Sequence, residues 1–250
     1  MHYTFREQVS NLRQEVIMSF LSIRNYSYFC KALKLCKGRE RCFVIGNGPS
    51  LNRDELDCLR DEITFVCNRF YKIYDGWNGT FYCCQDEIVF RNNKNEIEDY
   101  DSKFKVLNIH PSNKEFIKKH RDYIYLNVRR FRYRRGKNPK FSKRYLFGTY
   151  DGFTVTYSMI QLAVMMGFKE IYLMGVDFNY VIKNGIIDKA SYPEGVGAAA
   201  AGAQTDFQYN LKAYQEAARY CNDKGVKIYN VSPISKLDCF EKRNFSDIVF

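Results

Sequence analysis

The chain has no run approaching the roughly 20 consecutive apolar residues needed to cross a bilayer, and its first residues, Met1 to Glu7, are not those of a secretory signal. The expectation is a cytoplasmic protein, with peripheral attachment at the inner membrane face left open. None of the nine cysteines forms a CxxC pair. Cys42, Cys67, Cys83 and Cys84 stand in apolar surroundings that suit reduced core thiols, and no metal site is expected. Acidic residues are in deficit, 28 against 39 Lys and Arg, giving a formal net charge of +11. There is no internal repeat or low-complexity block, and 250 residues suit one α/β domain with a sizeable core.

The deficit is sharpest between Arg129 and Arg144, where Arg129, Arg130, Arg132, Arg134, Arg135, Lys137, Lys140, Lys143 and Arg144 occur without one acid, interleaved with Phe131, Tyr133 and Phe141. Such a stretch attracts a polyanion, and an anionic membrane surface or an acidic substrate fits it. Nucleic acid is not expected, because no RNA-binding signature accompanies the charge. A solvated loop with no partner is the alternative. Leu12, Val16, Phe20, Leu21 and Ile23 approximate a helical stripe within an N-terminal basic amphipathic segment, 1–38, able to pack on its own domain, on a second copy in a homo-oligomer, or on a membrane.

The pattern turns on Arg41 to Asn52, RCFVIGNGPSLN. Cys42 to Ile45 reads as a buried parallel strand. Gly46 and Gly48 lack a Cβ, so the backbone can take positive φ and offer N–H groups to an anion, and Pro49 stiffens the exit. Asn52 and Glu55 have capping-box spacing for the next helix. No Lys-Ser/Thr pair follows, so this is not a Walker loop. Further strands are expected at Ile63–Cys67, ending in Asn68; at Phe81–Cys84, ending in Gln85 and Asp86; at Lys105–Ile109, ending in His110; and at Tyr123–Val128. Asp86 and Glu87 are equally suited to capping the helix that follows.

Thr154 to Met166 is expected to be a nearly all-round apolar, buried helix. Ile171 to Val176 reads as a central strand closed by Asp177 and Tyr180. Residues 181–205, with their Gly-Ala run, have the character of a lid, and Ala198 to Ala201 allow an engineered replacement. Helix Asp206–Lys224 and strand Val226–Val231 complete the chain. Strands alternate with helices throughout, which predicts a doubly wound, mostly parallel Rossmann-like sheet with its nucleotide core at 41–180.

The GNGPSL loop, the run Cys67 to Tyr71 (CNRFY) and Gly167 to Phe178 (GFKEIYLMGVDF) resemble two related groups. One is the bacterial family-42 sialyltransferases, whose fold is a GT-A-like variant. The other is the broader DUF115 family, which includes 6-hydroxymethylpterin diphosphokinase-like proteins and motility-associated flagellin glycosyltransferases; KIYNVSPISKLDCF near the C-terminus looks more like this group. The resemblance implies that Gly46, Asn47, Gly48, Pro49, Ser50 and Asn68 hold the CMP half of a CMP-sugar, with Gln85 or Asp86, Thr154 to Thr156, and Tyr180 and Tyr192 as further contacts. It implies transfer of a sialic-acid-like or Kdo-like sugar to a bacterial cell-surface glycan or glycolipid, with no required cofactor and magnesium optional. The sialyltransferases place a general-base His in the lid, whereas the histidines here are His2, His110 and His120. Asp177 is therefore a candidate base or orienter and His110 a weaker one, with a structural cap as the other role for Asp177. A magnesium-dependent diphosphokinase using Asp86, Glu87 and Asp177, and an inactive or nucleic-acid-binding member of the fold, are the alternatives.

Overall fold

The computed structural model describes residues 20, 23, 25–129, 139–179, 182–183, 186–187 and 207–248. Helix α1 (Tyr26–Cys36) ends at Lys37, and Gly38 at φ 81° turns the chain into strand β1 (Arg41–Ile45). Asn52 accepts a hydrogen bond from the Asp54 amide at 2.9 Å and so caps α2 (Arg53–Asp57), the role its sequence position suggested. There follow β2 (Thr64–Cys67), α3 (Phe70–Ile73), β3 (Phe81–Cys84), α4 (Glu87–Asn92), α5 (Lys94–Asp99), β4 (Phe104–Asn108), α6 (Lys114–Lys119), β5 (Ile124–Leu126), β6 (Val128–Arg129) and β7 (Thr149–Tyr150). The chain then runs through α7 (Val155–Met165), β8 (Glu170–Met174), β9 (Ile182–Lys183), β10 (Ile186–Ile187), α8 (Phe207–Asp223), β11 (Lys227–Asn230) and β12 (Glu241–Lys242).

Eight strands form one sheet in the order β12-β11-β8-β1-β2-β3-β4-β5, every neighbouring pair parallel. Because side chains alternate along a strand, β1 sends Cys42 and Val44 into one core and Phe43 and Ile45 into the other. The first core packs under α1, α7 and α8, the second under α2 to α6. The doubly wound parallel sheet expected from the sequence is thus present. Sheet order reverses between β1 and β8, which opens a crevice at their carboxyl ends. Outside the main sheet, β6 pairs with β7 in parallel and β9 with β10 antiparallel. No helix among the described residues is long and apolar enough to cross a membrane.

Helix α7 is buried nearly all round, as its composition predicted, and this puts a polar residue under strict demands. Gln161 is fully buried; its Oε1 accepts from the amides of Ser142 (3.0 Å) and Tyr150 (2.9 Å), and its Nε2 donates to the carbonyls of Tyr150 and Tyr157. One side chain therefore pins both ends of segment 142–150 to the core. Gln161→Leu keeps the volume but strands two buried N–H groups, each costing about 1–3 kcal/mol. Urea unfolding is expected to register a loss of about 2–5 kcal/mol; an unchanged midpoint would mean that the segment is not held by this residue.

Candidate functional site

The crevice at the β1/β8 switch point is a cleft of about 620 Å³ of open space. Its walls are Gly46, Asn47, Gly48 and Pro49 after β1, Cys67 and Asn68 at the end of β2, and Thr154, Val155 and Thr156 at the start of α7. Gly175, Val176, Asp177, Phe178 and Asn179 after β8, with Tyr214 of α8, complete them.

The glycines are required here for a reason other than the one their sequence suggested. Neither Gly46 nor Gly48 is among the glycines with positive φ. They are needed because two backbones touch: the Gly46 amide donates to Met174 O at 2.7 Å and the Gly48 amide to Gly175 O at 2.8 Å. A Cβ on Gly46 would overlap the Gly175 carbonyl, and one on Gly48 would lie 2.5 Å from both Gly175 O and Asp177 Oδ2. It follows that these amides are not available to an anion. The Ser50 and Leu51 amides are also bound, to Asp177 Oδ2 (2.9 Å) and Gly48 O (3.2 Å). A further set of amides is that of the first turn of α7 at the cleft, which lacks intrahelical acceptors by helix geometry. That turn carries no acid, and its N-cap, Thr154, makes no side-chain cap.

Asp177 is buried, and its carboxylate engages Ser50 twice, through the amide and through a short bond from the hydroxyl. Its carbonyl accepts from the Lys236 amide at 2.8 Å, and the Val176 backbone is held on either side by the Ser232 and Ser235 hydroxyls. Asp177 therefore ties the glycine loop to the end of β8.

Two acceptors are left over. Asn47 Nδ2 donates to Cys67 O at 3.0 Å, while Asn47 Oδ1 is buried with no hydrogen-bond partner; Asn68 Oδ1 is in the same condition. Asn68 (φ 53°), Phe153 (φ 56°) and Phe178 (φ 48°) are the non-glycine residues with positive φ among those described, and all three line the cleft or adjoin it. Such backbone is costly and persists where surrounding structure enforces it. Burial pushes the Cys67 thiol up to about 12, so it stays neutral at ordinary pH.

The sequence-predicted residues divide accordingly. Gly46, Asn47, Gly48, Pro49, Asn68, Thr154, Thr156 and Asp177 line the cleft, and Ser50 touches it through Asp177. Gln85 does not line it: Ser158 Oγ donates to its Oε1 (2.6 Å), its Nε2 donates to Asp151 (3.0 Å), and it faces a separate small cavity under α7. Asp86 caps α4, accepting from Ile88 N and Val89 N, the structural role its position allowed. His110 follows β4, three strands from β1, or about 14 Å at the usual strand spacing, and its ring lies 3.0 Å from Glu87. Tyr180, Tyr192, Ala198 to Ala201 and most of 181–205 lie outside the described residues, as do Arg130 and residues 131–138 of the basic stretch. Tyr214 also lines the cleft, which its sequence context hides because it reads as part of α8's apolar stripe; its hydroxyl lies 3.4 Å from Thr154 Oγ1.

The architecture is that of solved glycosyltransferases. The monofunctional alpha-2,3-sialyltransferase Cst-I of Campylobacter jejuni is similar with a TM-score of 0.52 and 16% identity, over 86% of this chain and 84% of that one. The sialyltransferase CstII of the same organism, solved with the substrate analogue CMP-3FNeuAc, gives 0.50 and 17%, over 81% and 85%. The MAf glycosyltransferase of Magnetospirillum magneticum AMB-1 gives 0.53 and 16%, over 84% of this chain but 34% of that one. Residues 14–183 match the family described as 6-hydroxymethylpterin diphosphokinase MptE-like, and the chain belongs to that family. Comparison of the sequence with curated proteins gives no match.

Proposed function

We propose that the protein is a glycosyltransferase that takes a sialic-acid-like or Kdo-like sugar from a CMP-activated donor and passes it to a cell-surface glycan or glycolipid. The observation that carries this reading is the pair of orphaned acceptors, Asn47 Oδ1 and Asn68 Oδ1, beside the open first turn of α7. Buried acceptors without partners call for donors, and the hydroxyls of a ribose and the amino group of a cytosine are donors of the right kind. The α7 amides suit the phosphate. In the transfer, the bond from the anomeric carbon to the CMP phosphate oxygen breaks, a bond from the acceptor oxygen forms, and the acceptor proton goes to a base. Charge growing on the departing phosphate is stabilised by fixed N–H dipoles. The CMP-sugar analogue held by CstII supports this choice of donor.

The family description favours a second reading, an ATP- and magnesium-dependent diphosphokinase. Magnesium is held mainly by carboxylates and phosphates. The described cleft residues supply a single carboxylate, Asp177, whose two oxygens already accept from Ser50, and no lysine or arginine to clamp a phosphate. No group of three or more His, Cys, Asp or Glu suited to a metal occurs among the described residues. The donor set fits magnesium poorly.

Thermal shift decides between the two, because a ligand bound to the native state alone raises apparent stability. CMP is expected to stabilise the protein without added metal. Asn68→Gly, which tolerates the positive φ while removing the amide, is expected to weaken that binding by about 1–3 kcal/mol. Stabilisation by ATP with magnesium but not by CMP would replace the transferase reading with the kinase one.

A further inference from the structure

Away from the cleft, the 3₁₀ turn at residues Tyr145–Phe147 holds Leu146 and Phe147 outward, 43% and 52% exposed. Large apolar side chains at a loose loop tip would be unremarkable, since single exposed hydrophobics are common. This turn is not loose. The Tyr145 ring stacks on Phe29 of α1 at 4.0 Å, its hydroxyl donates to Tyr125 O at 2.8 Å, and Gln161 pins the chain on both sides at Ser142 and Tyr150. Gly148, at φ 65°, closes the turn where any Cβ would overlap the Asn127 carbonyl. The fold thus spends its anchors on keeping Leu146 and Phe147 in water.

The patch continues onto α1. Tyr26, 40% exposed, has its ring 5.9 Å from that of Tyr145. On the chain segments that build the patch the charge is of one sign, the nearest acids on other elements being Asp122, which acts on Tyr28, and Glu216, which acts on Tyr157. Lys140, Lys143 and Arg144 are exposed, and the Arg129 guanidinium lies 5.7 Å from the Phe147 ring centroid and 5.6 Å from that of Tyr150. No Asp or Glu occurs from Tyr123 to Tyr150, nor from Val16 to Arg39. Both chain segments that build the patch are therefore free of acids.

We propose that this face docks on an anionic lipid bilayer, with Leu146, Phe147 and Tyr26 entering the interface and Lys140, Lys143 and Arg144 meeting the headgroups. An aromatic and aliphatic centre flanked along the chain by exposed cations is complementary to an apolar interior under a negative surface. A polynucleotide would match the cations but gives Leu146 nothing to stack on. The same segment continues through Tyr150 and Asp151 to Thr154 at the cleft. Docking of this face is independent of which nucleotide the cleft takes.

Co-sedimentation of the full chain with phosphatidylcholine vesicles, with and without phosphatidylglycerol, tests it. Binding is expected only to the phosphatidylglycerol vesicles and to fall in high salt. Leu146→Ser with Phe147→Ser, which leaves every charge in place, is expected to reduce binding more than about tenfold, as is the triple change of Lys140, Lys143 and Arg144 to Ser. Circular dichroism melts of the variants, without ligand, confirm that they fold. Undiminished vesicle binding by the Leu146/Phe147 variant would overturn the proposal. So would tighter binding to a single-stranded RNA than to the vesicles, or a dimer in sedimentation velocity that this variant dissociates, either of which assigns the face to another partner.

Discussion

Gly48→Ala is expected to lower the melting temperature by roughly 6–12 °C and to abolish nucleotide-induced stabilisation. The added methyl would sit 2.5 Å from Gly175 O, a backbone atom, and 2.5 Å from Asp177 Oδ2. The side chain can swing away, but the carbonyl belongs to the β8 exit and is fixed by the Gly48 amide that it accepts. Relief requires the two loops to separate, at about 3 kcal/mol, the upper end of ordinary overpacking costs. For a chain of this size that corresponds to about 2–4 °C per kcal/mol. Separation also breaks the Asp177–Ser50 tie, so binding fails more completely than stability. Melts with and without CMP check both parts, and a variant that melts normally and still responds to CMP would show that the two loops need not touch.

Asp177→Asn is the second large effect, and it distinguishes a positioning role from a base. An amide can accept from only one of the two Ser50 donors, and its own N–H₂ then faces the other. Losing a charge-assisted hydrogen bond of this kind costs about 1.5–3 kcal/mol, or about 10- to 150-fold in nucleotide affinity. Ser50→Ala is expected to reproduce part of that loss, and the double variant to be no worse than Asp177→Asn, because both residues act through one tie. The readout that separates the roles is affinity against turnover. If Asp177 is the base, affinity for CMP stays intact, the turnover number falls on the order of 100-fold or more, and the pH profile of Asp177→Asn loses its acidic limb; Ser50→Ala would then leave turnover nearly untouched.

What the sequence could reveal was governed by distance along the chain. Asn47, Asn68 and Asp177 were legible as residues of the cleft because each stands at, or one glycine beyond, the end of a short apolar run, and the crevice of such a sheet opens at strand ends. Gln85 and His110 obey the same local rule yet are not in the cleft. The rule carries no information about how far a strand lies from the switch point, and that is fixed by strand order, a long-range property. The glycines were legible as necessary but not as to why, since a positive φ and a close backbone approach both demand a missing Cβ. Tyr214 was hidden because a residue lining a cleft and one buried in a core make the same helical stripe. Strand β12, only Glu241 and Lys242 and both exposed, has no periodicity to read.

The serines at 232 and 235 and the amide of Lys236 bind the backbone of Val176 and Asp177, and Tyr214 supplies part of the cleft wall. All four residues lie beyond residue 183, where the family match ends. The stretch that marks kinship is therefore shorter than the unit that builds the cleft. A fragment cut at that boundary would keep the glycine loop, Asn68 and Asp177 while losing the lacing that holds the β8 exit in place. Relatives that share the first part and differ in the last would then carry one set of cleft residues on differently braced frames.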